Sequence, residues 1–140
     1  MQQERNLQNA LYEWAERVVG VYNPIARKER VNYYTQSNLS LLHSSPELLL
    51  LGINPGSAGG DGKELTAKEF LQGNPEYHTK GSWTMWQRLC RLFAQGNILE
   101  MLQDEESLVW SNVFHLNSKK ESGLTNPMKA PEVVQLTRDL

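Results

Sequence analysis

The chain has 140 residues, room for one domain and too little for two ordinary ones. Its hydrophobic fraction of 39% supports a core, yet no apolar run approaches the roughly 18 residues of a membrane-spanning helix. A formal net charge of −2 argues against tight non-specific binding to DNA and leaves room for an enzyme that touches a few phosphates. The polar start MQQERNLQNALYEW lacks the apolar stretch of a signal peptide, so a cytoplasmic location is the expectation. The single Cys90 cannot close an internal disulfide and sits among Leu89, Leu92 and Phe93, which predicts packing rather than catalysis.

Leu7, Leu11, Trp14, Val18 and Val21 recur at helical spacing and predict an amphipathic helix over about 3–22, ended by Asn23-Pro24. Residues 24–46 read as irregular. Leu48–Ile53 is a short apolar run without polar alternation, the pattern of a strand buried on both faces as in parallel sheets. Residues 54–82 hold most of the glycines and read as a long loop with one short helix, TAKEFLQ, closed by Gly73. Ser82 is the expected N-cap of a helix carrying Trp83, Trp86, Leu89, Cys90 and Phe93, with a short helix over 98–102 after it. Ser107–Phe114 predicts a second apolar strand, and Pro131 the first turn of a last helix. Helices alternating with strands predict an α/β layered fold. Two strands make a marginal sheet, so this fold is expected to want more chain than these residues.

Familiar chemistries fit poorly. A P-loop needs G-x-x-x-x-G-K-[ST], but Gly62-Lys63 has Ser57 at the first glycine position and Glu64 where the hydroxyl should be. No G-x-G-x-x-G or G-x-S-x-G occurs. His43, His78 and His115 lie far apart with no partner at ligand spacing, so no metal site is expected. Arg27, Lys28 and Arg30, the pair Arg88 and Arg91, and the pair Lys119 and Lys120 read as solvated faces. What remains is Asn54-Pro55-Gly56 directly after the first strand. Taken alone it is a tight turn, with Pro and Gly at their favoured positions. Placed at the carboxyl end of a strand in an α/β sheet, the same turn holds an Asn side chain over the crevice where such folds put their sites.

Gly52-Ile53-Asn54-Pro55-Gly56 after a buried strand resembles the first active-site motif of the uracil-DNA glycosylase superfamily, in the form carried by its mismatch-specific and single-strand-selective branches. The likeness extends to Ser82–Phe93, to VWSNVFHL at 109–116 and to Gly123-Leu124-Thr125-Asn126-Pro127, and so covers roughly residues 46–140. It implies a three-layer α/β/α fold with a mainly parallel sheet, of which this chain is the N-terminal part. A segment of the His-Pro-Ser type would then follow Leu140, since none of the three His matches it. The implied activity is hydrolysis of the N-glycosidic bond of uracil or a related damaged base flipped out of DNA, without metal or cofactor. By that resemblance Asn54 orients the attacking water. Gly52, Ile53, Pro55 and Gly56 shape the backbone against the nucleotide, and Asn112 reads the base. Phe70, or else Tyr77, stacks on the base. Two other readings stay open: a non-catalytic remnant of the fold that binds nucleic acid or protein, and a nucleotide-binding α/β protein using the glycine loop.

Overall fold

The computed structural model describes residues 2–52, 60–113, 115 and 131–138. A mixed α/β arrangement is seen, with five helices and a two-stranded parallel sheet among these residues. The first helix, α1, spans Gln2–Glu29 and carries Pro24 inside it. The expected stop at Asn23-Pro24 is therefore corrected. Proline removes one helical hydrogen bond, a local cost that tertiary packing overrides. Beyond the proline Ala26 is fully buried, and Asn23 ties the helix to a distant loop. Its Oδ1 accepts from Leu65 N (2.8 Å) and from the Tyr33 hydroxyl (2.5 Å), and its Nδ2 donates to Leu65 O (2.9 Å). Arg30, at φ 52°, then turns the chain out of the helix.

Strand β1 covers Leu48–Gly52 and β2 covers Leu108–Asn112. They pair in parallel, with Leu48 opposite Leu108 and Gly52 opposite Asn112. Residues read as irregular by sequence hydrogen-bond along the free edge of β2. Tyr34 N donates to His115 O (3.2 Å), and Gln36 N and Ser37 N both donate to Trp110 O (3.0 Å), so 34–37 line the far side of β2. Ser37 Oγ also accepts from Trp110 N (2.9 Å). These groups satisfy backbone that would otherwise be buried without partners.

Alternate residues of the strands enter different cores, as a period of two requires. Leu48, Leu50 and Trp110 pack with Tyr77, Trp83, Trp86 and Leu102. Val109 packs with the cluster of Val18, Tyr22, Tyr33, Phe70 and Val133. The expectation that β1 is buried on both faces is corrected here: Leu49 and Leu51 are 60% and 57% exposed. The leucine run records a strand that could be covered on both sides, while the described chain covers one.

The remaining helices follow their local signals closely. Helix α2, Ala67–Leu71, starts at a reciprocal box in which Thr66 caps Glu69 N (3.2 Å) and Glu69 returns to Thr66 N (2.9 Å). Gly73 follows at φ 76°, where an added Cβ would lie 2.3 Å from Ser37 O, so this turn admits only glycine. Helix α3, Thr84–Gln95, has Trp83 at its N-cap with no side-chain bond. Ser82, the expected cap, instead donates to Thr79 O (2.9 Å), closing the 3₁₀ turn Tyr77–Ser82. Helix α4 is Leu99–Gln103, and α5, Pro131–Arg138, opens on its proline.

Candidate functional site

The two parallel strands end side by side at Gly52 and Asn112, and the chain leaves Gly52 directly into the Asn54 motif. Val113 N donates to Gly52 O (2.9 Å), which extends the pairing one step and locks the two exits together. Asn112 is 3% exposed, and its carboxamide lies across the Gly52 backbone. A Cβ added at Gly52 would stand 2.5 Å from Asn112 Oδ1, so the glycine is what lets this amide sit where it does. Among the described residues Asn112 Nδ2 has no hydrogen-bond partner. A buried amide donor left unpaired costs about 1–3 kcal/mol, which a fold accepts readily only when something else uses the group. An amide at this place offers a donor and an acceptor to a ligand at the carboxyl edge of the sheet.

Of the other residues singled out by sequence, Ile53, Asn54, Pro55 and Gly56 lie outside the described residues. Phe70 is described, and its place differs from the expectation. It is completely buried, with Trp14, Tyr33 and His115 rings at 5.5, 5.7 and 5.4 Å. An enclosed ring of this kind holds α2 against α1 and presents no face to a base. Phe70 also belongs to the Val109 core, whereas Asn112, two residues after Trp110 on the strand, shares the opposite side of the sheet. Tyr77 is on the Trp110 side, at 6.3 Å from that ring. Its hydroxyl is buried without a partner among the described residues, and burial followed by the Glu105 charge holds its pKa above the ordinary tyrosine value. Lys80 Nζ stands 4.1 Å over the Tyr77 ring and 5.2 Å over Trp86, and it pairs with Glu105. Tyr77, Trp83, Trp86 and Trp110 thus form one aromatic wall beside β2.

His115, passed over by sequence reasoning because it matches no motif, is the most unusual polar group described. It is 2% exposed, neither ring nitrogen has a hydrogen-bond partner among the described residues, and Trp14, Tyr22 and Phe70 surround it at 5.4–5.9 Å. Burial pushes its pKa down to about 4, opposed by the nearby Tyr34 carbonyl. The signal that could have found it is its position three residues beyond Asn112, at the end of a buried strand.

A cavity of about 520 Å³ opens elsewhere, over Tyr33, Tyr34 and Leu65, with Asp61, Glu69 and Glu76 on its rim. Lys63 is its one basic lining residue, and it is engaged by Glu69 at 3.0 Å. This acidic lining repels phosphate, so the groove does not continue the strand-end site as a path for a nucleic acid. No group of three metal-ligating side chains occurs among the described residues. Comparison of the chain with family models, with curated proteins and with solved structures finds no match.

Proposed function

We propose that the chain is a DNA glycosylase of the uracil-DNA glycosylase type, hydrolysing the bond between deoxyribose and uracil or a related damaged base. The observation that carries the reading is the buried Asn112 amide, its Nδ2 without a partner among the described residues, beside Gly52 at the end of β1, two positions before Asn54 in sequence. In this reading the base is flipped out of DNA to the carboxyl edge of the sheet. Asn112 Oδ1 accepts from uracil N3–H, and Nδ2 donates to O4. Cytosine offers the reverse pattern and is refused. Asn54 holds a water against the sugar carbon through its carboxamide oxygen. A carboxamide suffices because an oxocarbenium-like transition state needs orientation of the water more than a strong base. The aromatic wall of Tyr77 and Trp83 is the better source of a stacking ring than Phe70, since it lies on the Asn112 side of the sheet. The strands then belong to a three-layer α/β/α fold with a mainly parallel sheet, and DNA carrying the damaged base is the partner.

The test is excision from a labelled single-stranded oligonucleotide containing one uracil, with the parent chain beside Asn54→Ala. Abasic product from the parent alone is the expected result. No product from either refutes a self-sufficient glycosylase. One observation favours a second reading, a non-catalytic member of this fold that binds protein: the exposed Leu49 and Leu51 on β1. An uncovered apolar strand face of this kind is a surface on which another chain can pack.

A further inference from the structure

We propose that His115 is an acid-operated latch just beyond the end of β2: protonation places a charge inside a cage of three aromatic rings with no carboxylate among the described residues to pair it, the imidazole leaves, and the chain at the strand end separates from α1 and from residues 33–37. The main chain of His115 is where these parts meet. Its carbonyl accepts from Tyr34 N (3.2 Å), and its backbone N–H is directed at the Tyr22 hydroxyl oxygen. Its side chain fills the space between α1 and α2, against Trp14 and Tyr22 on the first and Phe70 on the second. One residue therefore joins two helices and the 33–37 segment to β2, by main chain and side chain together.

The surroundings decide the sign. On α1 the ring meets Trp14 and Tyr22, and the charged Glu13, Glu16 and Arg17 of that helix are exposed. On α2 it meets Phe70, while Lys68 is exposed and Glu69 is committed to Thr66 and Lys63. The 33–37 segment contributes Tyr33, stacked on Tyr22 at 5.3 Å, and the Tyr34 backbone. Val133 of α5 closes the same cluster, with Glu132 exposed. Among the described residues no anion faces the ring. A buried imidazole with one backbone carbonyl, that of Tyr34, near it and no anion among the described residues favours the neutral state over the cation. The fold accordingly resists protonation until the strand end opens, and below the ordinary imidazole pKa the opened form takes up the proton instead.

The latch itself does not depend on the glycosylase reading. Only its consequence for Asn112, three residues earlier in the chain at the end of β2, rests on that reading. Urea unfolding of the parent and of His115→Phe at pH 7 and pH 4.5 tests it, because phenylalanine keeps the cage filled and removes the proton site. The carboxylates titrate alike in both proteins and cancel in the comparison. On acidification the unfolding constant of the parent is expected to rise roughly 50-fold more than that of the variant, as follows from linkage between an ordinary imidazole and one held at about 4. A difference under about threefold overturns the latch. Should His115→Phe fail to fold, the ring Cε1–H signal of His115 in the folded parent decides. A shift unchanged down to about pH 5 supports the latch, and titration at or above the ordinary imidazole value overturns it. Neither readout uses base excision, so loss of the glycosylase proposal and loss of this one are separate outcomes.

Discussion

Asn112 places a buried amide beside a glycine that makes room for it, and among the described residues its Nδ2 has no partner. If the amide serves a ligand, removing it should relieve the protein and disable the site at once. Asn112→Leu, similar in size and free of polar atoms, is expected to be as stable as the parent or up to about 1 kcal/mol more stable in urea unfolding. A loss of 2 kcal/mol or more would mean that the amide is a structural member with partners in the fold. His115 and Phe70 show the limit of reading single residues. The apolar character of Phe70 was plain in the sequence. Its neighbours were not, because Trp14, Tyr33 and His115 come from segments 56, 37 and 45 positions away and only the folded chain brings them together.

At the scale of elements, local signals and tertiary ties carry different weights. Helix α2 has five residues, too few to persist on propensity alone, and relies on its cap and on the buried Ala67, Phe70 and Leu71. Thr66→Ala removes the hydroxyl half of the capping box, the cap on Glu69 N, while the backbone N–H at 66 can still donate to Glu69, and is expected to cost about 1 kcal/mol, measured by urea unfolding, with the far-UV signal otherwise unchanged. Helix α1 depends on a tie instead. Asn23 serves three hydrogen bonds across 10 and 42 positions of sequence. Asn23→Ala leaves the Tyr33 hydroxyl and both Leu65 backbone groups without it and is expected to cost about 2–3 kcal/mol, with hydrogen exchange quickening first past Pro24. The start of α2 and the Gly73 turn were legible because capping and positive φ are properties of a few adjacent residues. The continuation of α1 through Pro24 was illegible because long-range bonds override a local stop. The same holds for 34–37, whose polar TQSN stretch looks like a loop until β2 supplies its partners. The α/β class and the parallel pairing of the two leucine- and valine-bearing strands could be read from their apolar runs. The uncovered side of β1 could not.

For the whole molecule, the ionisable groups set a window of stability. Glu69 is held down to about 2, first by the Thr66 backbone and then by Lys63 and the Thr66 hydroxyl, and Asp104 is lowered chiefly by the Ser107 hydroxyl. Lowered carboxylates stabilise above their unfolded pKa and lose that contribution as pH falls through the folded one. His115, held at about 4, acts in the same direction between the ordinary imidazole value and 4, because the unfolded chain binds its proton first. At the alkaline end, burial raises Tyr22 to about 12 and lifts Tyr33, Tyr34 and Tyr77 as well. The unfolded chain therefore loses these protons first, and stability falls above about pH 10. Melting temperature should climb from pH 4 to 7, hold level to about pH 10 and then decline. A maximum below pH 5 would contradict the burial of His115. The central claim, however, is that the strand-end amide reads a base. The most direct measurement is uracil excision from a single-stranded oligonucleotide by the parent and by Asn112→Leu, at equal concentrations of protein shown to be folded. The account predicts abasic product from the parent and at least about 100-fold less from the variant, in line with losing a pair of directed hydrogen bonds in a buried site. Equal excision by the two proteins, or none by the parent, would contradict it.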